Sequence, residues 1–231
     1  MAQSITIAAP LIKHDAKHME LSRDVPLIAD QSALLFIDVQ NFTAHRDGSE
    51  YKDLTADERA QKCDPFFELM ETLVVPNMQR LQRACRAAGI EVMYTTIESL
   101  TQDGRDRGLD YKITGFNVPK GSWDAKVIDA IAPAADEMHF PKTSSSVFIS
   151  TNIDYVLRNL GVKQLVISGL VTDQCIESAI WDACDLGYLV TQVTDACATY
   201  TEARHQASLR AIKGYCRQVS TAEILSEIEV Q

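Results

Sequence analysis

The sequence predicts an α/β protein in which a parallel sheet lies between two layers of helices, a three-layer α-β-α arrangement. Uninterrupted apolar runs are typical of strands buried on both faces of a parallel sheet, and residues 33–37 are the first such run. These runs alternate with longer segments whose apolar residues recur at helical spacing. The length of 231 residues suits a single undivided α/β domain.

The predicted elements follow one another in a regular order of strand and helix. The first strand, Ala33 to Ile37, ends at Asp38. A helix opened by Pro76 and closed by Gly89 leads to a second strand at residues 91–97. The further predicted strands cover residues 138–140, 164–168, 189–193 and 216–219, and the further helices cover residues 152–160, 173–186, 201–213 and 222–228.

Two segments fall outside this alternation. Residues 1–30 contain two prolines and little periodicity, and we predict that they form an arm that precedes a single domain at residues 31–231. Residues 99–124 contain four glycines with interspersed arginines and aromatic residues. Long irregular insertions in compact domains tend to be functional, so this segment is predicted to contribute a substrate loop.

Composition excludes several classes of function. The formal net charge of −10 leaves no cationic surface for nucleic acid or for anionic lipid. No apolar run approaches the roughly 20 residues that cross a bilayer, and no secretory signal pattern opens the chain, so a cytoplasmic location is expected. The six cysteines form no CxxC pair, which favours reduced thiols over disulfides or a zinc site.

Three reactive side chains follow predicted strands. Asp38 follows the first strand, Lys142 the third, and Cys175 lies a few residues after the fourth. Ligands in open α/β sheets bind beyond the carboxyl ends of the strands, so these residues are expected to converge there. Alone, each has a structural alternative, since aspartate often caps a helix, lysine is usually solvated and cysteine is often buried.

A converging carboxylate, ammonium and thiol would suit covalent catalysis. The start of a helix and the Lys142 ammonium would lower the pKa of Cys175, so we expect a thiolate nucleophile. Asp38 could take the thiol proton and later return it to a leaving nitrogen. Backbone N–H groups of residues 171–175 are suitable donors to the oxyanion that forms when the thiolate attacks a carbonyl.

Three sequence blocks carry a family resemblance: LLFIDVQN at residues 34–41, PKT at 141–143 and SGLVTDQC at 168–175. Together they resemble the isochorismatase-like cysteine hydrolases, and most closely the ureidoacrylate and N-carbamoylsarcosine amidohydrolases. The resemblance implies a six-stranded parallel sheet of order 3-2-1-4-5-6 and a catalytic triad of Asp38, Lys142 and Cys175. It also implies a cis peptide between Val171 and Thr172, with the amides of Thr172 and Cys175 as the oxyanion hole.

Departures from the family pattern concern metal and substrate. Nicotinamidases carry an aspartate and two histidines as metal ligands after the first strand, whereas this chain offers Asn41, His45 and Asp47, so no metal and no cofactor are expected. An asparagine at position 41 resembles the pattern of the ureidoacrylate branch. Its side-chain amide could bind a ureido group, although it could also cap a turn. The candidate substrate-binding residues are Gln40, Asn41, Arg105, Tyr111 and Trp123.

The function that these expectations favour is cleavage of a linear C–N bond in a small amide or ureide, with a thioester or carbamoyl-cysteine intermediate. Two alternatives stay open: a vinyl-ether hydrolase of the isochorismatase type, and a catalytically idle relative that acts as a binding or scaffold module. Family members commonly assemble as dimers or tetramers, so a homo-oligomer is expected. Among the remaining residues, His139 is interpreted as a core histidine and His205 as a surface residue.

Overall fold

The six strands that the structure describes form one parallel sheet. In the computed structural model, which describes residues 21–229, the strands pair in the order β3-β2-β1-β4-β5-β6. This order confirms the predicted fold class. The strands are β1 Ser32–Ile37, β2 Glu91–Ile97, β3 Met138–Lys142, β4 Gln164–Leu170, β5 Leu189–Ala198 and β6 Arg217–Val219.

The centre of the sheet is buried on both faces, as the uninterrupted apolar runs predict. Every residue of β1 and of β4 is buried, and β1 lies between β2 and β4. Successive side chains of a strand point to opposite faces, so Leu34 and Phe36 pack into one core cluster while Leu35 and Ile37 pack into the other.

Helices cover both faces of the sheet. One core cluster includes residues of α3, α4 and α10, and the other includes residues of α7, α8 and α9, which gives the three-layer arrangement. The α-helices are α1 Asn41–Ala44, α2 Ala56–Lys62, α3 Asp64–Leu69, α4 Val75–Ala87, α5 Leu109–Ile113, α6 Val147–Ser150, α7 Ile153–Asn159, α8 Glu177–Asp185, α9 Glu202–Ile212 and α10 Thr221–Glu229.

Several element boundaries differ from the sequence prediction. The fifth strand was predicted to end at residue 193 but continues to Ala198, because its pairing with β4 shifts register between Ile167 and Gly169 and then resumes. The helix predicted from residue 173 begins instead with a π-helical turn, Thr172–Ile176. The helices between residues 41 and 69 were not predicted, and a second π-helical turn, Met70–Val74, joins α3 to α4.

Most of the predicted arm at residues 1–30 lies outside the described residues. Within residues 21–229, no helix is long and apolar enough to cross a membrane. The predicted insertion at residues 99–124 follows β2 and contains the short helix α5 and the start of a 3-10 turn, Trp123–Ala125. This segment packs at the carboxyl end of the sheet, since the amide of Gly108 donates to the carbonyl of Thr143 just after β3.

Candidate active site

The structure brings the three predicted catalytic residues together at the carboxyl edge of the sheet. Lys142 Nζ lies 2.8 Å from Asp38 Oδ2 and 3.3 Å from Cys175 Sγ. Lys142 ends β3, Asp38 follows β1, and β2 lies between these two strands, so the long lysine side chain spans the end of β2. All three side chains are buried.

The backbone of Asp38 adopts an unusual conformation that aims its carboxylate at the site. Its φ of 54° lies in the left-handed region, which is sparsely populated by residues other than glycine and is common at functional sites. The Thr95 hydroxyl donates to Asp38 Oδ1 at 2.9 Å, and the Asp38 amide donates to the Thr95 carbonyl. These bonds hold Asp38 from β2 and leave Oδ2 facing the Lys142 ammonium.

The close approach of β1 and β4 beside Asp38 requires a glycine. A Cβ on Gly169 would lie 2.1 Å from the carbonyl oxygen of Ile37, a distance that backbone atoms cannot accommodate. The φ of Gly169 is 138°, which also disfavours other residues. Gly169 therefore keeps the chain that leads to Cys175 adjacent to the chain that leads to Asp38.

Lys142 is the centre of the polar cluster. Its ammonium donates to the Ser144 carbonyl at 2.9 Å and to the Tyr111 hydroxyl at 3.4 Å, besides its contacts with Asp38 and Cys175. Burial lowers the pKa of a lysine, but the negative charge of Asp38, with smaller effects of Cys175 and Tyr111, outweighs burial here and raises the pKa of Lys142 above its ordinary value. The side chain is therefore a permanent cation.

Burial opposes ionisation of the Cys175 thiol. Burial raises the pKa of Cys175 to about 12, and the Asp38 charge acts in the same direction, against the opposing effect of Lys142. The expectation of a lowered cysteine pKa is therefore wrong for the unliganded protein. The Lys142 ammonium does lower the pKa of Cys175, but the loss of solvent around the buried sulfur raises this pKa by more. The Asp38 carboxylate hydrogen-bonds to the thiol and is a group that can accept its proton.

The cis peptide that the resemblance implied lies one residue earlier than expected. It joins Leu170 to Val171, not Val171 to Thr172. Thr172 is fully buried, and its hydroxyl contacts His205 Nδ1 at 2.9 Å. His205 was expected on the surface and instead supports this turn, because α9 packs against it.

The candidate oxyanion-hole residues differ in whether they border the sulfur. Both residues line the cavity beside the sulfur, whereas Thr172 does not. The Val171 carbonyl accepts hydrogen bonds from the amides of Gln174 and Ile176, which flank Cys175. Val171 therefore replaces Thr172 as the candidate second donor of the oxyanion hole.

The space beside the sulfur is small, and we call it the reactive cavity. Its volume of about 20 Å³ holds about one water molecule. A ureide with four or more heavy atoms does not fit there without displacement of a wall. The lining residues are Asp38, Thr43, Ile97, Phe116, Leu170, Val171, Gln174, Cys175 and Tyr200.

Of the predicted substrate-binding residues, Tyr111 lies in the catalytic cluster. Its hydroxyl is 4.0 Å from Cys175 Sγ and 3.4 Å from Lys142 Nζ, and its ring stacks on Phe116 at 5.5 Å. Burial raises the pKa of Tyr111 above its ordinary value, so the hydroxyl stays protonated at neutral pH. The insertion therefore delivers a polar group to the sulfur, as its composition suggested.

The structure does not place the other four predicted substrate-binding residues beside Cys175. The Gln40 side-chain amide is fully buried and hydrogen-bonds to the backbone: it accepts from the Ile97 amide and donates to the carbonyls of Ile97 and Asp124. Asn41 donates to the Trp123 carbonyl at 3.0 Å and lines a separate cavity with Trp123. The Arg105 side chain is 73% exposed and pairs with Asp103.

The side chains considered for metal binding make other contacts. His45 packs edge-on against Trp123 at 4.9 Å, and its Nδ1 accepts from the Asp47 amide. Among residues 21–229, no three His, Cys, Asp or Glu side chains cluster as a metal site would require. His139, interpreted as a core histidine, lies at the exposed edge of β3, where Nε2 contacts the Thr96 hydroxyl at 2.8 Å.

Sequence reasoning missed Tyr200, which lines the reactive cavity. Tyr200 lies two residues after β5, so it occupies a strand-end position of the same kind that singled out Asp38 and Cys175. The prediction ended β5 at residue 193 and therefore assigned no strand-end role to residue 200. Thr95 was also missed, because a threonine inside a strand gives no signal that its hydroxyl binds a carboxylate.

Comparisons with known proteins agree with this geometry. The sequence model of the isochorismatase domain matches residues 32–224. The ureidoacrylate amidohydrolase RutB of Acinetobacter baylyi is 28% identical over 217 residues, which cover 86% of this chain and 84% of the relative. A cysteine hydrolase structure from Pseudomonas syringae has a TM-score of 0.75 at 26% identity, with 89% of this chain and 96% of that chain covered.

The structure of N-carbamoylsarcosine amidase from Thermoplasma acidophilum is also similar, with a TM-score of 0.63 at 25% identity and coverage of 83% of this chain and 96% of that chain. The strand order is the one that the resemblance implied. The family model spans all six strands and all three polar residues of the cluster. The chain therefore belongs to the isochorismatase family.

Proposed function

We propose that the protein is a cysteine-dependent amidohydrolase that cleaves a linear C–N bond in a small amide or ureide. The observation that carries the proposal is the contact of one buried ammonium, Lys142, with both a carboxylate and a thiol at the carboxyl edge of the sheet. The names of the similar proteins, a ureidoacrylate amidohydrolase and an N-carbamoylsarcosine amidase, support this class of substrate.

The first step forms the bond between sulfur and carbon. Asp38 Oδ2 takes the proton of the Cys175 thiol, and the Lys142 ammonium stabilises the thiolate that remains. The sulfur attacks the substrate carbonyl carbon, and the carbonyl oxygen becomes an oxyanion. The amides of Cys175 and Val171, which border the reactive cavity, donate to that oxygen.

The second step breaks the C–N bond. The protonated Asp38 returns its proton to the leaving nitrogen, which departs as ammonia or an amine. An amide substrate leaves a thioester on Cys175, and a ureide leaves a carbamoyl-cysteine. Water then attacks the same carbon with Asp38 as base, and the thiol is restored. A carbamate product loses carbon dioxide.

Replacement of the sulfur tests this function. Cys175→Ser and Cys175→Ala are expected to lower ammonia release from a panel of small amides and ureides by at least about 10³-fold. The matched control is Cys197→Ala, because Cys197 is equally buried and lies in the same sheet. Thermal unfolding of all three variants should stay close to that of the wild type.

Substantial ammonia release by Cys175→Ala would exclude covalent thiol catalysis. Wild-type protein that releases no ammonia but cleaves a vinyl ether would instead establish the isochorismatase-type alternative. Protein that turns over neither class of compound would establish the idle relative.

A further inference from the structure

The reactive cavity must widen before a substrate can bind at Cys175, and Tyr200 is the residue that it shares with a larger neighbouring cavity. With room for about one water molecule, the reactive cavity as it stands cannot hold a ureide. Tyr200 lines this cavity and also lines a second one, which we call the apolar cavity. One side chain therefore borders both the nucleophile and an empty volume beside it.

The apolar cavity is large enough for an organic substituent. Its volume is about 780 Å³, which is within the range of small-molecule binding sites. Its wall includes the rings of Tyr51, Phe66 and Tyr200 and the side chains of Leu54 and Leu69. Its charged lining residues are Glu50, Lys62 and Glu202.

Tyr200 is held in the closed position by Glu50. The Tyr200 hydroxyl donates to Glu50 Oε1, and the ring lies 5.3 Å from the Phe66 ring. Glu50 comes from a 3-10 turn, Ser49–Tyr51, whereas Tyr200 follows β5, so this hydrogen bond joins two distant parts of the chain. Exchange of this hydrogen bond for one to a ligand would release the tip of the Tyr200 side chain, whose ring also contacts the Arg204 guanidinium.

Glu50 has an unused acceptor. Its second oxygen, Oε2, is buried and accepts no hydrogen bond from the residues that the structure describes. A buried carboxylate oxygen without a donor is energetically costly, so a ligand N–H that reached it would be favoured. Burial raises the pKa of Glu50, and the hydrogen bond from Tyr200 opposes that effect.

Near the reactive cavity, residues 21–229 offer no unpaired cation for an anionic substrate. The residues that line the reactive cavity include no arginine or lysine. Lys142 is engaged with Asp38 and Cys175, and Arg107 donates to the carbonyls of Gly104 and Phe116. A carboxylate close to Cys175 would therefore meet Asp38 or Glu50, and the one lysine that lines the apolar cavity, Lys62, is solvent-exposed and pairs with Glu58.

We propose that Tyr200 and Glu50 form a gate between the two cavities, and that the substrate is a neutral N-substituted urea whose apolar group occupies the apolar cavity. The carbonyl of the urea lies against Cys175, and the N–H next to the apolar group binds Glu50 Oε2 once Tyr200 has moved. The proposal rests on the proposed amidohydrolase function and adds the class of substrate to it.

Binding to the Cys175→Ser variant tests the substrate class without turnover. Calorimetry should show that N-butylurea binds at least about tenfold more tightly than N-methylurea, because each buried methylene is worth about fourfold. 4-Ureidobutanoate should bind at least about tenfold more weakly than N-butylurea, because its carboxylate would enter a space lined mostly by apolar side chains and by two glutamates, Glu50 and Glu202. Equal affinities for the two alkyl ureas, or tightest binding of the carboxylate, would overturn the proposal.

Filling the apolar cavity provides the matched control. In the same background, Leu54→Trp should weaken binding of N-butylurea by at least about fivefold and leave N-methylurea unchanged. Leu160→Trp places the same side chain at an exposed leucine, at the end of α7, that lines neither cavity, and it should affect neither ligand. An unchanged affinity of Leu54→Trp for N-butylurea would show that the apolar cavity is not the site.

The rate of Cys175 alkylation tests whether Tyr200 and Glu50 form a gate. Tyr200→Phe removes the bond to Glu50 and keeps the ring, so alkylation of Cys175 by iodoacetamide should become several-fold faster than in the wild type. An unchanged rate, with unchanged thermal unfolding, would refute the gate.

Turnover separates this proposal from the proposed function. Wild-type protein should release ammonia from N-butylurea faster than from N-methylurea. If N-butylurea binds more tightly than N-methylurea but no ammonia is released, amide hydrolysis is refuted and the proposed binding site is supported. If ammonia is released from both ureas without preference for the longer alkyl chain, the role of the apolar cavity is refuted and the proposed hydrolysis is supported.

Discussion

Cys175, in the π-helical turn after β4, and Cys197, in β5, are both buried thiols, but their surroundings differ. Cys197 lies in β5 opposite Gly169, and burial raises its pKa to about 12. The pKa of Cys175 is also raised to about 12 by burial. Only Cys175 has an ammonium at 3.3 Å and a carboxylate that shares this ammonium.

This comparison shows that ionisation alone does not mark the reactive thiol. Burial raises the pKa of both thiols, so a high pKa does not distinguish them. What Cys175 has, and Cys197 lacks, is an ammonium that contacts both the thiol and a carboxylate, the two groups that the proposed mechanism uses as cation and base. A neighbouring cavity does not distinguish the two thiols, because Cys197 also borders one.

The sharpest test of the comparison is the protonation state of Cys175. Because its pKa lies far above neutrality, fewer than about one molecule in 10³ should carry the thiolate at pH 8. The ultraviolet thiolate absorption of the wild type minus that of Cys175→Ser should therefore be absent from about pH 6 to about pH 9 and appear only in stronger base. A full thiolate band at neutral pH would restore the original expectation of an ionised sulfur.

Removal of the base should have the next largest effect. Asp38→Asn keeps the shape and the Thr95 hydrogen bond but cannot take the thiol proton, so kcat/KM for ammonia release should fall about 10³-fold. The variant should also be less stable to chemical denaturation by about 3–5 kcal/mol, because Lys142 loses its buried counter-charge. Asp154→Asn, at a partly exposed ion pair with Arg158, is the control and should change activity less than twofold. Activity of Asp38→Asn within tenfold of the wild type would remove Asp38 from the reaction.

The smallest expected effect concerns Tyr111. Tyr111→Phe removes the hydroxyl near Lys142 and Cys175 while its ring continues to stack on Phe116, so kcat/KM should fall about tenfold with little loss of stability. Tyr188→Phe removes a hydroxyl of similar burial that binds Asp154 away from the site, and it should leave kcat/KM unchanged. Equal kinetics of the two variants would show that the Tyr111 hydroxyl does not assist the reaction.

Much of the fold was predictable because buried parallel strands require apolar runs and helices require apolar periodicity. The predicted second strand, Glu91–Ile97, has the observed bounds. Strand-end positions identified Asp38, Lys142 and Cys175, since the sheet topology alone brings such positions to one edge. Prediction failed at β5, where polar residues follow Val193 in the strand and the register shift hides the continuation. It failed for the same reason at Tyr200.

The sequence by itself determined the order of the elements, the family and which three side chains meet, because each depends on local patterns of apolar, turn and strand-end residues. The tertiary structure decided what those side chains do to one another. Whether the thiol is ionised depends on how completely the surrounding chain excludes water, and which residue closes the cavity depends on contacts such as Glu50 with Tyr200, 150 positions apart. Neither solvent exclusion nor long-range contact is encoded in any short segment.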